Sequence, residues 1–224
     1  ADGSYFEPLR QRELFDVYHE RRFRYVPASA IKPAAPLAPA AVDAYWEFLA
    51  ANLNVEAIAA ADLRVVCDFC NGSGAAYATR FAELLGIRLV AVNDSVSGVI
   101  PRDPEPRPRS ESPIRSIIAP LNRDLSRMGV VTDTGEPLSE ELTFPLAADY
   151  LLERYPKGSR VVTNICSTRA LDDVVARHGC ILEKSKVGQA NVIDLVRALG
   201  AVAGGEGSGS FTFGPQRGFD GFLM

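Results

Sequence analysis

The sequence predicts an α/β protein of two tandem α/β/α units with mixed, mainly parallel sheets. Two observations carry that prediction. The first is a run of strand-forming residues, Leu63-Arg64-Val65-Val66-Cys67-Asp68-Phe69. It feeds a glycine loop, Asn71-Gly72-Ser73-Gly74-Ala75, then a helix from Ala76 to Leu85 stopped by Gly86, then a second strand from Ile87 to Val92. Strand, loop, helix, strand is the order of a right-handed parallel crossover. The second observation is its return 96 positions later, where Ser159-Arg160-Val161-Val162-Thr163-Asn164-Ile165-Cys166 parallels Leu63 to Cys70. That strand also leads into a helix (Arg169 to His178), a stopping glycine (Gly179) and a strand (Cys180 to Glu183).

The remaining elements follow from local patterns. Leu9, Leu14, Phe15, Val17 and Tyr18 predict a short amphipathic helix within residues 9–24, closed by the basic turn Arg21-Arg22-Phe23-Arg24. Pro27, Pro33, Pro36 and Pro39 make the next stretch a linker, because proline removes a backbone donor and fixes φ. Val42, Tyr45, Trp46, Leu49 and Leu53 fall on one helix face, so Trp46 is expected in a packing interface. Between the two units, the proline-rich Ile100 to Pro108 reads as an extended surface segment. Phe211-Thr212-Phe213 is a strand expected to close the second sheet.

The 224 residues exceed an average domain, and 47% apolar with 23% charged residues is ordinary for a folded globular chain. A net charge of -4 gives no support to a phosphate-backbone partner, so nucleic acid is not expected. No run approaches the roughly 18 apolar residues of a membrane span, and no basic-then-apolar signal opens the chain. These features predict a cytoplasmic protein that does not bind membranes. Ala1 at one end and the apolar Phe222-Leu223-Met224 at the other read as the ends of a fragment.

Cys67-Asp68-Phe69-Cys70 has the spacing of a zinc or dithiol motif, but no second pair completes a ligand set, so Cys67 is expected as a small buried hydrophobe. His19 and His178 lie in helical stretches and have no nucleophile beside them in sequence, which points to surface or helix-end roles. Ser167 is expected to cap the helix that follows it.

The most informative segment is Gly204-Gly205-Glu206-Gly207-Ser208-Gly209, read as a loop in which a carboxylate and a hydroxyl stand between glycines. Glycines allow close backbone approach to a ligand, an ionised Glu accepts hydrogen bonds from vicinal hydroxyls, and Ser donates or accepts. That is sugar-gripping chemistry.

Several further motifs fall in one order with it. They are Val66-Cys67-Asp68 with Asn71 to Ala75, Pro101 to Pro108, Gly129-Val130-Val131 with Thr134-Gly135-Glu136, Thr163 to Ala170, Lys186-Val187-Gly188, and Gly204 to Gly209 with Asp220-Gly221. In this order the chain resembles the α-D-phosphohexomutases, the phosphoglucomutase and phosphomannomutase superfamily. The resemblance places a first-domain remnant or N-terminal arm at residues 1–40, a domain II-like unit at 41–137 and a domain III-like unit at 138–224. It implies intramolecular phosphoryl transfer on a hexose phosphate, with a serine donor in the first domain and Mg²⁺ on an Asp-x-Asp-x-Asp-Arg loop in the second. It assigns substrate binding to Glu206, Ser208 and Lys186.

The departures bear on activity. At the metal-loop position stands Asn122-Arg123-Asp124-Leu125-Ser126-Arg127, with Asp124 the one carboxylate beside the neutral oxygens of Asn122 and Ser126. A second alignment sets Asn122 to Met128 on the preceding helix and deletes the metal loop. Gln189 follows the Lys-x-Gly turn, where the family often has His. The serine donor loop lies outside the matched segment, so the chain alone is expected to be inactive. The alternative is a degenerate, non-catalytic protein that binds a sugar phosphate or a partner. A dinucleotide-binding domain would need fingerprint glycines that the strand-loop-helix unit lacks. Loss of a strand beside the metal-loop region would expose a sheet edge and permit self-association.

Overall fold

The computed structural model describes residues 6–33, 38–101, 119–120, 126–132 and 134–213. Its contacts divide it into two units, Ala1–Phe48 and Leu49–Met224. The first unit holds helix α1 (Pro8–His19) and most of α2 (Pro39–Asn52). Proline at the start of α1 costs nothing, since its missing N–H would have no intrahelical partner there. The amphipathic spacing does not produce a buried face: Leu9, Leu14, Phe15 and Tyr18 are each more than half exposed. The helix ends at His19, just before the basic turn, as expected. Trp46 on α2 is buried, as its spacing predicts.

The second unit begins with α3 (Val55–Ala60), whose first turn is capped by Asn54 accepting from the Ala57 N–H at 3.2 Å. Strand β1 (Arg64–Asp68) is followed by a 3-10 turn (Ser73–Tyr77), helix α4 (Ala78–Leu85) and β2 (Arg88–Val92), so the single helix expected from Ala76 is a tight turn and then a helix. Gly86 ends α4 in the left-handed conformation. Strand β3 (Ala119–Pro120) completes a sheet of order β2-β1-β3, parallel throughout. The first sheet therefore keeps a third strand, reduced to two residues. A small antiparallel pair, β4 (Val130–Val131) and β5 (Pro137–Leu138), turns through Thr134-Gly135-Glu136.

Helix α5 (Glu140–Leu152) leads into β6 (Arg160–Asn164), α6 (Ala170–Arg177), β7 (Ile181–Ser185), α7 (Gln189–Leu199), β8 (Ala203–Glu206) and β9 (Ser210–Phe213). The sheet order is β7-β6-β8-β9, with β9 alone antiparallel, so Phe211-Thr212-Phe213 closes the sheet as expected. Alternation along β6 makes three layers. Val161 packs with Phe144, Ala148 and Leu152 of α5 and Leu171 and Val175 of α6, while its neighbour Val162 packs with Val192 and Val196 of α7. Burying each valine contributes about 1.5–3 kcal/mol relative to exposure.

The 96-residue repeat is structural. In each of the two larger sheets the central strand pairs in parallel with the strand after its helix, from Arg64 opposite Arg88 and from Arg160 opposite Ile181. A third strand lies on the other side of each, with Cys67 opposite Ala119 and Thr163 opposite Gly205.

Two local expectations change. Ser167 does not cap α6, whose N-cap is Arg169; its hydroxyl donates instead to Asn164 Oδ1 at 3.1 Å. The segment Gly204 to Gly209 is not one loop. Gly204 to Glu206 lie in β8, and only Gly207-Ser208-Gly209 form the hairpin turn to β9. Among the described residues no helix is long and apolar enough to cross a membrane.

Candidate functional site

In the second sheet, β6 connects through α6 to β7 on one side, and β7 connects through α7 to β8 on the other. The strand order reverses at β6 and β8, and a crevice outside the carboxyl ends of strands at such a point is where open α/β sheets bind ligands. The residues ending these two strands are Asn164 and Glu206.

Glu206 is buried, with 8% of its surface exposed. Its Oε1 accepts two hydrogen bonds, from Asn164 Nδ2 at 2.8 Å and from the Gly188 N–H at 2.8 Å. Oε2 accepts none among the described residues. The Gly188 bond draws the Lys186-Val187-Gly188 turn onto the carboxylate, so the structure brings two of the three sequence-predicted residues to one edge. Lys186 itself is exposed and has no ion pair among the described residues. Ser208, in the adjoining turn, has a buried hydroxyl oxygen with no hydrogen-bond partner among the described residues.

The helix N-termini at this edge face carboxylates. Gly188 is the N-cap of α7, and its N–H goes to Glu206. Just before α6, the Thr168 N–H donates to Glu141 Oε2 at 2.7 Å. Free N–H groups at a helix start favour an anion, and here glutamates of the chain supply it. At this edge the Gly188 and Thr168 N–H groups are thus occupied by the chain's own carboxylates.

The glycines of the segment answer to packing. A Cβ at Gly205 would lie 2.7 Å from Phe144 Cδ1 and from Phe211 Cβ, and one at Gly207 would overlap the Glu141 carboxylate. Gly209 takes φ +75°, the left-handed residue of a three-residue hairpin turn. Their smallness is required by the protein's own neighbours.

Of the candidate metal residues, Asn122 and Asp124 lie outside the described residues. Ser126 is half-buried at the end of that segment. Two positions on, the Met128 N–H donates to Gly209 O at 3.2 Å, so the segment's downstream end joins the β8–β9 turn. Residues 126–128 are not helical, which disfavours the alignment that sets them on a helix. Arg102 to Pro108 and Asp220-Gly221 also lie outside the described residues. Gln189 opens α7, and its Nε2 donates to Ser210 Oγ at 3.3 Å. Cys67 and Cys70 are buried free thiols.

Two residues with roles here were not singled out from sequence. Asn164 carries a readable signal, a strand-ending Asn before a turn, but its tie to Glu206 spans 42 positions. Glu141 reads as a helix-start acid after Ser139, and its bond to Thr168 has no local signature.

Family models for phosphoglucomutase/phosphomannomutase alpha/beta/alpha domains II and III match residues 43–136 and 139–224. The chain belongs to the phosphoglucomutase/phosphomannomutase family. A probable phosphoglucosamine mutase of Pyrococcus horikoshii is 30% identical over 221 residues, covering 94% of this chain and 47% of the relative. A phosphoglucomutase/phosphomannomutase of Thermococcus kodakarensis is 30% identical over 178 residues, covering 75% of this chain and 39% of the relative. Among solved structures, a phosphoglucomutase/phosphomannomutase family protein from Burkholderia thailandensis superposes with a TM-score of 0.80 at 25% identity, over 99% of this chain and 48% of that one. The chain spans about half the length of the curated relatives it matches. Within this family the two repeated α/β units are its domains II and III.

Proposed function

We propose that the domain III-like unit of this chain grips the hydroxyls of a hexose monophosphate, in a family whose reaction is intramolecular phosphoryl transfer. The observation that supports this reading is the Glu206 carboxylate at the strand-order reversal, with Oε1 fixed by two protein donors and Oε2 left to accept from a ligand. An ionised carboxylate is an acceptor only, so it suits a sugar hydroxyl and repels a phosphate oxygen. Lys186, exposed beside the same turn, supplies a cation for the substrate's negative end.

At the metal-loop position one carboxylate, Asp124, stands with an amide and a hydroxyl. Mg²⁺ demands near-ideal octahedral oxygen geometry and is ordinarily held through carboxylates, so this donor set does not fit it. The 224 residues also contain no segment that reads as the family's serine donor loop. They should bind a hexose phosphate without turning it over.

Calorimetric titration of the 224-residue chain with glucose 1-phosphate and with glucosamine 1-phosphate tests this. Binding that Glu206→Ala abolishes, with no isomerised product in a parallel assay containing a sugar bisphosphate and Mg²⁺, is the expected result. Equal binding by the chain and its Glu206→Ala variant would overturn the assignment, and turnover by the chain alone would overturn its expected inactivity.

A further inference from the structure

We infer that Asn164 is a positioning residue that holds Glu206 in its sugar-accepting orientation, a role that rests on the functional reading above. Asn164 is 5% exposed. Its Oδ1 accepts from the Cys166 N–H at 2.9 Å and from Ser167 Oγ at 3.1 Å. A backbone N–H can only donate, so it fixes which end of the amide is oxygen. The NH₂ end is thereby committed to Glu206 Oε1, 2.8 Å away. Thr163 Oγ1, 2.6 Å from Ser167 Oγ and 2.9 Å from Gly205 O, ties the turn back to β8.

The first α/β unit supplies an internal control. Asp68 stands where Asn164 stands, and its Oδ1 accepts from the Cys70 N–H at 2.9 Å. The strand-end turn therefore needs an oxygen and is indifferent to whether the other atom is N or O. In the first sheet Asn93, which follows β2, donates its Nδ2 to that same Oδ1 at 2.9 Å. In the second sheet the other end of the side chain, the Asn164 NH₂, reaches the strand on the opposite side, at Glu206 of β8. The NH₂ of Asn164 is thus accounted for by Glu206, not by the turn. Without the Asn164 donor only the Gly188 N–H would hold Oε1, and the carboxyl could turn about that single bond and lose the fixed direction of Oε2.

This separates a positioning role from a merely structural one. Asn164→Asp keeps the acceptor for Cys166 but sets two carboxylates against each other, with Glu141 and Lys186 as the other charged groups at this edge. Such a pair shares a proton, so its geometry depends on pH where the native amide's does not. Titration of the full chain with glucose 1-phosphate should show N164D weaker than the unsubstituted protein by about tenfold at about pH 8, with the gap narrowing at about pH 5.5. Referring each value to the unsubstituted protein at the same pH removes the titration of the sugar phosphate. Asn164→Ser keeps a hydroxyl acceptor without the amide. It should weaken binding at both pH values without acid recovery, and it carries the test if N164D fails to fold in thermal unfolding. Glu206→Ala is the reference for lost binding. N164D and N164S matching the unsubstituted chain at both pH values, with E206A still deficient, would overturn the positioning role and leave the sugar-gripping reading standing. No binding by the unsubstituted chain, or full binding by E206A, would overturn that reading and the positioning role with it.

Discussion

Asp68 and Asn164 end the central strands of the two sheets in the same way: Oδ1 of each accepts the N–H two residues on, from Cys70 and from Cys166, both at 2.9 Å. The positions are 96 apart, which is the offset of the sequence repeat. The side-chain turn at the end of the central strand is the feature both units retain. The further neighbour bonded to each is a different one: Asn93, after β2, in the first sheet and Glu206, at the end of β8, in the second.

Asp68 is 1% exposed and also accepts from Asn93 Nδ2, so it joins the turn after β1 to the turn after β2. Asp68→Ala leaves the Cys70 N–H and the Asn93 amide without this acceptor. It should lower the unfolding free energy by about 1–3 kcal/mol in urea titration. Asp68→Asn keeps Oδ1 for both bonds and should cost less. Equal losses for the two variants would show that charge, not the two hydrogen bonds, is what the site uses.

Gly205 and Gly207 are predicted to respond unequally to alanine. At Gly205 the new methyl meets the Phe144 ring and the Phe211 Cβ, neither of which can move without disturbing the core. At Gly207 it meets the Glu141 carboxylate, a flexible group tied by its bond to Thr168. Overpacking costs typically about 1–3 kcal/mol, and Gly205→Ala should lie above Gly207→Ala on that scale. Glu141→Ala should relieve Gly207→Ala. In a double-mutant cycle, additivity within about 0.3–0.5 kcal/mol would show the two residues to be uncoupled.

Asp149 on α5 links to the end of α6, with His178 Nε2 at 2.7 Å and Arg177 at 3.2 Å from its Oδ1. The hydrogen bond with His178 is the largest effect and holds its carboxyl below the ordinary value of 3.8 against the opposing effect of burial, with smaller lowering contributions from the Arg177 and His178 charges. A carboxylate with a depressed folded pKa adds stability that is present above its unfolded pKa and lost as pH falls through the folded value. The gap in thermal midpoint between the native chain and Asp149→Asn should therefore be full near neutrality, begin to close near pH 3.8 and shrink further in stronger acid. A gap that widens toward acid would reverse this assignment.

Much of the architecture was legible because it is written in short-range pattern. The Arg-Val-Val strands, the glycines after α4 and α6 and the 96-residue recurrence produced the two mainly parallel sheets, and the order of motifs produced the family. The spacing of residues 9–24 gave the helix that is found, but its apolar residues stay exposed, because periodicity states which face could be buried and says nothing of what covers it. Ser167 misled for a related reason. A serine before a helix satisfies a cap on paper, but an Asx turn begun three residues earlier captured its hydroxyl.

The sequence by itself determined the α/β class, the tandem units, the family and Glu206 as a candidate ligand group, since each rests on residues close together in the chain. Tertiary structure alone decided that Glu206 gives one oxygen to Asn164 and Gly188 and keeps the other, and that Gly205 and Gly207 are small because Phe144 and Glu141 lie against them. Those contacts join positions 18 to 66 residues apart, where only the folded backbone sets the distance and direction on which a hydrogen bond or a steric limit depends.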